Sequence, residues 1–361
     1  MRHAKGVLLN ILSIVAAAGC APLAAQQPIM TWRYQPPGLP TEIAMSPNGK
    51  YVAIRVYFGL QRPLEVHLLE DGNLIRRFTD DRGTLSGVDV SDSGHVLVCS
   101  VEGFPMRTTG HVLVFDREGT LRWNDTLKGE GVTSGGISPE GGFAAFVSES
   151  SLYLHRIGGQ RLWVTSVGQR YGSHLEKVSV AAGAFRIVVW DSLQDRAYVF
   201  DRDGKHLWEG NCMFPGPRIS SSGDYVGLIL LIPDDPQKDV AVARFDADLG
   251  DGEWVGLPTG IHRDLMSEGI LDYSLSDRGD VVLVTRPENV FPPGDGMKYY
   301  DAQLREVKVG ERYFFYDLGD PRGAHEQSTP AVVLSSDGTV MAVSTGTEVR
   351  GLKNAPLTKK W

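Results

Sequence analysis

A four-residue turn that ends in Gly recurs along the chain and constrains the fold more than any other feature. Six copies begin with Ser: Ser46–Gly49, Ser91–Gly94, Ser138–Gly141, Ser220–Gly223, Ser276–Gly279 and Ser335–Gly338. A seventh, degenerate copy is Val180–Gly183 (VAAG), and the successive glycines lie 45, 47, 42, 40, 56 and 59 residues apart. Each turn lies between apolar segments, and Gly tolerates the positive φ that a tight turn requires. The spacing therefore predicts a repeated hairpin unit.

A second turn follows in most repeats and raises the number of strands per repeat to four. These turns are at 70–72, 116–119, 158–159 and 201–204. The strand after the turn carries a tryptophan in several repeats, namely Trp123, Trp163, Trp208 and Trp254. We interpret these tryptophans as packing between neighbouring repeats. Repeats of about 40–50 residues with four short strands predict an all-β fold, a seven-bladed β-propeller with four antiparallel strands per blade.

The last repeat lacks one strand. After Val340–Val343 only Glu348–Leu352 remains as a strand before a polar tail, whereas Ile29–Tyr34 (IMTWRY) precedes the first repeat and contains Trp32. We predict that this N-terminal strand joins the last blade and closes the ring, since closure removes an open sheet edge.

Two patterns in the repeats carry a resemblance to a known family. The patterns SPxGxxxA and VFDxxGxxLW resemble those of PQQ-like and WD-like repeat propellers of exported bacterial or archaeal proteins. The resemblance implies one propeller domain over 29–352, and it leaves function open because such folds serve many roles. Asp116–Trp123 and Asp201–Trp208 are one residue shorter than the repeats of quinone-dependent dehydrogenases and lack their Thr. No cofactor is therefore expected.

The first 25 residues differ from the rest. Arg2 and Lys5 precede the apolar run Val7–Ala18 and small residues, a pattern typical of an export signal. Residues 17–20 (AAGC) resemble a bacterial lipobox, so cleavage before a lipidated Cys20 and cleavage after Ala25 remain alternatives. We expect an exported protein, periplasmic or at the cell surface, and an outer-membrane lipoprotein if Cys20 is the anchor. Residues 353–361 form a C-terminal tail.

Charge and cysteine content narrow the function classes. The formal net charge of −8 disfavours binding to nucleic acid or to an anionic membrane. Cys99 and Cys212 lie in repeats that are not neighbours, so we expect buried free thiols. A monomeric propeller is predicted.

The long connections of the repeats define a candidate partner-binding face. In a four-stranded meander the connections between the second and third strands and between repeats share one face, where functional loops cluster. Aromatic residues and Arg are favoured interface anchors. The candidates are Tyr57, Phe58, Arg62, Phe104, Arg107, Tyr171, His174, His262, Arg263 and Phe291.

A second candidate region is the mouth of the central channel. Five charged residues are predicted on the innermost strands: Glu42, Asp89, Lys177, Arg218 and Asp272. No catalytic or zinc motif occurs, and the nine His are scattered. His262, Asp264 and Glu268 could offer metal ligands from one loop, but exposed polar residues are the commoner explanation. The acidic run 246–253 lacks the spacing of an EF-hand loop, so no metal site is predicted.

These observations favour a non-enzymatic binding or assembly scaffold at the cell envelope that recognises a protein partner. Two alternatives remain open. One is a propeller enzyme, either a lactonase-like metal hydrolase that uses the channel mouth or a degenerate quinone-dependent oxidoreductase. The other is a carbohydrate-binding module.

Overall fold

The computed structural model describes residues 28–58, 65–79, 83–102, 108–167, 173–230, 241–244, 253–255, 270–278, 281–285, 303–308, 312–317, 331–345 and 347–353. Apart from a 3₁₀ turn at Ala182–Ala184, the regular structure of these residues is all β. No helix of this part of the chain is long and apolar enough to cross a membrane.

The strands of the first half are regular. They are β1 (Ile29–Tyr34), β2 (Leu39–Met45), β3 (Tyr51–Tyr57), β4 (Glu65–Glu70), β5 (Asn73–Thr79), β6 (Thr84–Val90), β7 (Val96–Glu102), β8 (Thr109–Phe115), β9 (Leu121–Lys128), β10 (Ser134–Ile137), β11 (Phe143–Val147), β12 (Ser151–Arg156) and β13 (Gln160–Ser166). Antiparallel sheets form in the orders β2-β3-β4-β5, β6-β7-β8-β9 and β10-β11-β12-β13.

The second half continues the pattern with one interruption. Its strands are β14 (Leu175–Val180), β15 (Arg186–Asp191), β16 (Arg196–Asp201), β17 (His206–Asn211), β18 (Arg218–Ile219), β19 (Val226–Gly227), β20 (Ile229–Leu230), β21 (Ala241–Arg244), β22 (Glu253–Val255), β23 (Ile270–Leu275), β24 (Val281–Thr285), β25 (Gln303–Lys308), β26 (Arg312–Asp317), β27 (Ala331–Leu334), β28 (Val340–Ser344) and β29 (Val349–Lys353). Four-stranded sheets β14-β15-β16-β17 and β23-β24-β25-β26 flank a two-stranded sheet β18-β19 and a three-stranded sheet β20-β21-β22.

The N-terminal strand β1 belongs to the last sheet, whose order is β1-β29-β28-β27. The pairing is antiparallel, with Arg33 opposite Arg350 and Tyr34 opposite Val349. This is the pairing that the short last repeat predicts. The first strands of successive sheets contact one another from β2 through β6, β10, β14, β18 and β23 to β27, and β27 contacts β2.

The recurring Ser has a structural role in the turns. Ser46 Oγ accepts a hydrogen bond from Tyr51 N at 2.9 Å, and Gly49 at the end of that turn has φ 74°. Ser138 does the same for Phe143 N at 3.0 Å. These serines are fully buried, so the hydroxyl satisfies an amide that would otherwise lack a partner.

The predicted position of the degenerate turn, Val180–Gly183, is wrong by one residue. Ala184 N donates to Ala181 O at 3.0 Å, and Ala181 N donates to Arg186 O at 3.0 Å. The first turn has the same pattern, in which Gly49 N donates to Ser46 O. The turn is therefore Ala181–Ala184, and Ala184 takes the left-handed conformation with φ 52° at the position of the usual Gly.

The core lies between the sheets, and Trp123 and Trp163 contribute to it as expected, whereas the side chain of Trp254 lies outside the described part of the structure. Trp123 packs against Phe146 and His155 of the next sheet, with ring centroids 6.4 and 5.0 Å apart. Trp163 covers Gly204 of the following sheet and donates through Nε1 to Arg202 O at 2.7 Å. Cys99 and Cys212 are buried and free, which confirms that prediction.

Candidate functional site: a charged central cavity

A cavity of about 410 Å³ lies where the first strands of the sheets meet. Side chains alternate along a strand, so two positions of each first strand face the same way. The residue four positions before the first residue of each turn is, in chain order, Glu42, Gly87, Ser134, Lys177, Gly216, Asp272 and Ala331. The residue two positions before the first residue of each turn is, in chain order, Ala44, Asp89, Gly136, Ser179, Arg218, Ser274 and Val333. The members of both sets that carry side chains line the cavity, and all five predicted channel residues are among them.

Arg218 and Asp272 form an ion pair between neighbouring first strands. Arg218 Nη2 lies 3.0 Å from Asp272 Oδ1, and Asp272 Oδ2 accepts from Val332 N at 3.0 Å. Asp272 thus ties three sheets together. Burial alone would lower the pKa of Arg218, but Asp272, Tyr273 and Glu42 together outweigh burial and the pKa is raised.

Asp89 uses both oxygens on backbone amides. Oδ1 accepts from Val90 N at 2.8 Å, and Oδ2 accepts from Ile137 N of the next sheet at 2.8 Å. Burial raises the pKa of Asp89 to about 6, although these two hydrogen bonds partly oppose the shift. This side chain is a tie between sheets.

Glu42 is neutralised by Arg55, a residue that the sequence analysis did not single out. Arg55 Nη1 lies 3.2 Å from Glu42 Oε2. The guanidinium also donates to Thr41 Oγ1 at 3.0 Å and to Leu85 O at 3.2 Å, which fixes it at the cavity wall. Arg55 could have been found from the sequence only as a polar residue in an otherwise apolar strand.

Lys177 differs from these groups. No carboxylate of the described residues lies within ion-pair distance of its Nζ, which sits 5.9 Å from the centroid of the Phe214 ring. Burial, with the nearby Arg218 as the second cause, lowers the pKa of Lys177 to about 8. Its stem is packed at Gly216, where a Cβ would lie 3.3 Å from Lys177 Cδ and 2.9 Å from Trp190.

The predicted partner-binding residues are described only in part. Tyr57 and Phe58 are half-buried, and neither lines the cavity. His174 is half-buried, with Nε2 3.4 Å from Glu176 Oε1. The candidate lipid anchor Cys20 and the remaining partner-binding candidates lie outside the described residues; these candidates are Arg62, Phe104, Arg107, Tyr171, His262, Arg263 and Phe291.

Two exposed apolar side chains lie on the long-connection face. Leu193, between β15 and β16, is 67% exposed, and Phe214, between β17 and β18, is 56% exposed. Phe185, in the tight turn before β15 and so on the opposite face, is 53% exposed. Leu193 could not be predicted as an exposed apolar residue, because a lone Leu in a polar loop belongs to no sequence pattern.

In the part of the chain that the structure describes, no group of three or more His, Cys, Asp or Glu side chains could hold a metal ion. His262, Asp264 and Glu268 lie outside it.

These sheets around a central cavity define the class of fold, a β-propeller, and one solved structure agrees. The chain is similar to the crystal structure of the Cps50 (Swd1) β-propeller domain of Myceliophteria thermophila, with a TM-score of 0.62 and 11% sequence identity. The match covers 91% of this chain and 100% of that one. At this identity the likeness establishes the fold alone. No protein-family model and no curated protein matches the chain.

Proposed function

We propose that the propeller has seven blades and that β1 closes the ring. The two short sheets would then be one blade, because β19 and β20 are separated only by Leu228 and the order β18-β19 continues as β20-β21-β22. The contact between β27 and β2 supports closure.

This propeller serves as a non-enzymatic scaffold that recognises a protein partner through its long-connection face. The observation that carries the proposal is the exposure of Leu193 and Phe214 on that face. Exposed apolar and aromatic side chains on one face are what interface anchors require. The acids of the cavity support a scaffold over an enzyme, since Asp89 and Asp272 are both committed to backbone amides of the next sheet.

The cellular setting is also a proposal. The N-terminal pattern and the PQQ-like and WD-like resemblance support an exported, monomeric protein at the cell envelope, with Cys20 as its candidate lipid anchor. Labelling with a radioactive fatty acid tests the anchor: we expect incorporation into the wild type and none into Cys20→Ser.

Affinity capture with matched variants tests partner recognition. The wild type, the double variant Leu193→Ala/Phe214→Ala and the control Phe185→Ala are used as baits on solubilised envelopes, and captured proteins are identified by mass spectrometry. We expect one partner that the wild type and the control retain in equal amounts and that the double variant loses. Phe185 is the matched control because it is similarly exposed on the other face.

Two results would contradict the proposal. One is equal capture by all three baits. The other is loss of the partner by Phe185→Ala while the double variant still binds it. Thermal unfolding of each bait excludes loss through misfolding.

A further inference from the structure

Lys177 is the one cationic side chain on the described wall of the cavity that has no charged or hydrogen-bonding partner. Arg55 pairs with Glu42 and Arg218 with Asp272, whereas Asp89 is held by two backbone amides and Glu176 lies 3.4 Å from a ring nitrogen of His174, which matches its charge only when protonated. The ammonium faces the Phe214 ring, 5.9 Å from its centroid, and this contact compensates only weakly for the hydration that a half-buried cation loses. A negative charge that enters the cavity would therefore meet an unpaired cation at Lys177.

Arg218, the neighbour of Lys177, strengthens the attraction of this site for an anion. Arg218 on the adjacent first strand is also cationic, and it acts on Lys177 in the same direction as burial does. Asp272, Glu42 and Glu176 offset these two effects only in part. A single negative charge near Nζ would relieve the repulsion between the two cations, whereas the four surrounding carboxylates oppose a doubly charged ligand.

An apolar wall stands next to the ammonium. The Phe214 ring lies 6.3 Å from the Trp190 ring between centroids. Trp190 is buried and donates through Nε1 to Cys212 O at 3.0 Å, so its ring is fixed. Phe214 leaves more than half of its surface exposed. The cavity therefore combines a cation with a positioned aromatic surface.

We propose that the central cavity binds a small organic carboxylate, with the carboxylate at Lys177 and an aromatic or apolar group on Phe214. The volume of about 410 Å³ lies within the range of small-molecule sites, about 300–1,000 Å³. The site shares Phe214 with the proposed partner-binding face, but it depends on Lys177 and does not need Leu193, so variants of Lys177 and Leu193 test the two proposals separately.

Isothermal titration calorimetry at pH 7 with three probes of similar shape tests this site. The probes are 3-phenylpropanoate, its uncharged amide 3-phenylpropanamide, and phenyl phosphate. We expect saturable binding of the carboxylate at one site and binding at least tenfold weaker for the amide and for the phosphate. In Lys177→Met, whose side chain keeps the length but not the charge, the carboxylate and the amide should bind equally weakly.

Two controls keep the result interpretable. Lys205→Met removes an exposed lysine from the turn on the opposite face and should bind like the wild type. Leu193→Ala should bind the probe normally even where it loses the protein partner, so the two proposals fail separately. Thermal unfolding shows whether Lys177→Met is folded.

Three results would overturn the proposal. The first is that the wild type shows no saturable binding of 3-phenylpropanoate at millimolar concentration. The second is that folded Lys177→Met binds it as tightly as the wild type. The third is that phenyl phosphate binds more tightly than the carboxylate.

Discussion

The hydroxyl of Tyr34 lies 2.8 Å from Nδ1 of His67, across the junction between the last sheet and the first. The other ring nitrogen of His67 is 2.8 Å from Glu65 Oε2, and the ring is completely buried. Tyr34 belongs to β1, the strand that the N-terminus contributes to the C-terminal sheet. A polar contact thus joins β1, the strand that completes the last sheet, to β4 of the first sheet.

Removing the Tyr34 hydroxyl should weaken this junction. In Tyr34→Phe a buried ring nitrogen of His67 loses its partner, which costs about 1–2 kcal/mol of the free energy of unfolding. Urea denaturation measures the change. The control is Tyr57→Phe, since Tyr57 is half-buried and its hydroxyl has no hydrogen bond to a described residue. Equal stability of Tyr34→Phe and the wild type would show that the contact contributes nothing.

Trp32 makes a second contact at the same junction, and Gly72 is required for it. Gly72 has φ 82°, and a Cβ there would overlap the Trp32 ring. Gly129 has the same φ of 82° with no atom within 4 Å of a Cβ. We expect Gly129→Ala to cost roughly 1–2 kcal/mol from backbone strain. Gly72→Ala should cost about 1–3 kcal/mol more from overpacking.

A double-mutant cycle separates the two causes. In a Trp32→Gly background, which also removes the Trp32 Cβ that would lie 2.5 Å from a Cβ at Gly72, Gly72→Ala should cost only as much as Gly129→Ala does, because strain remains and the clash is gone. Denaturation curves of the four proteins measure the coupling. The same cost of Gly72→Ala in both backgrounds would contradict the role of Trp32.

The repeats made the sheets and the inward positions predictable, because turn spacing and side-chain alternation are local properties. Val180–Gly183 was placed one residue early, since nothing local indicates that Ala184 would take the left-handed conformation. The partners of the channel charges were not predictable for a different reason. Asp89 is held by Ile137 N and Lys177 faces Phe214, and both contacts depend on how neighbouring sheets pack.

His155 should make the protein sensitive to acid. It is buried among Trp123 and Phe146, and burial lowers its pKa, although Asp125 partly opposes this. A lowered folded-state pKa means that its contribution to stability is present above about 6.5 and is lost as the pH falls through the folded value. The stability of the wild type relative to His155→Leu should therefore decrease between pH 8 and pH 5. The control is His206→Leu, because His206 is exposed. The difference in free energy of unfolding between the wild type and this variant should change less with pH.

Asp89 should make the protein less stable as the pH rises, which is opposite to the effect of His155. Its folded-state pKa of about 6 exceeds the ordinary value of 3.8, so its contribution is fully present below 3.8 and is lost as the pH rises through about 6. The free energy of unfolding of the wild type minus that of Asp89→Asn should fall by about 1–3 kcal/mol between pH 3.5 and pH 8. Chemical denaturation at both pH values measures it, with Asp203→Asn in an exposed turn as the control. A difference that stays constant or grows with pH would show that the Asp89 carboxyl is not buried in the folded protein.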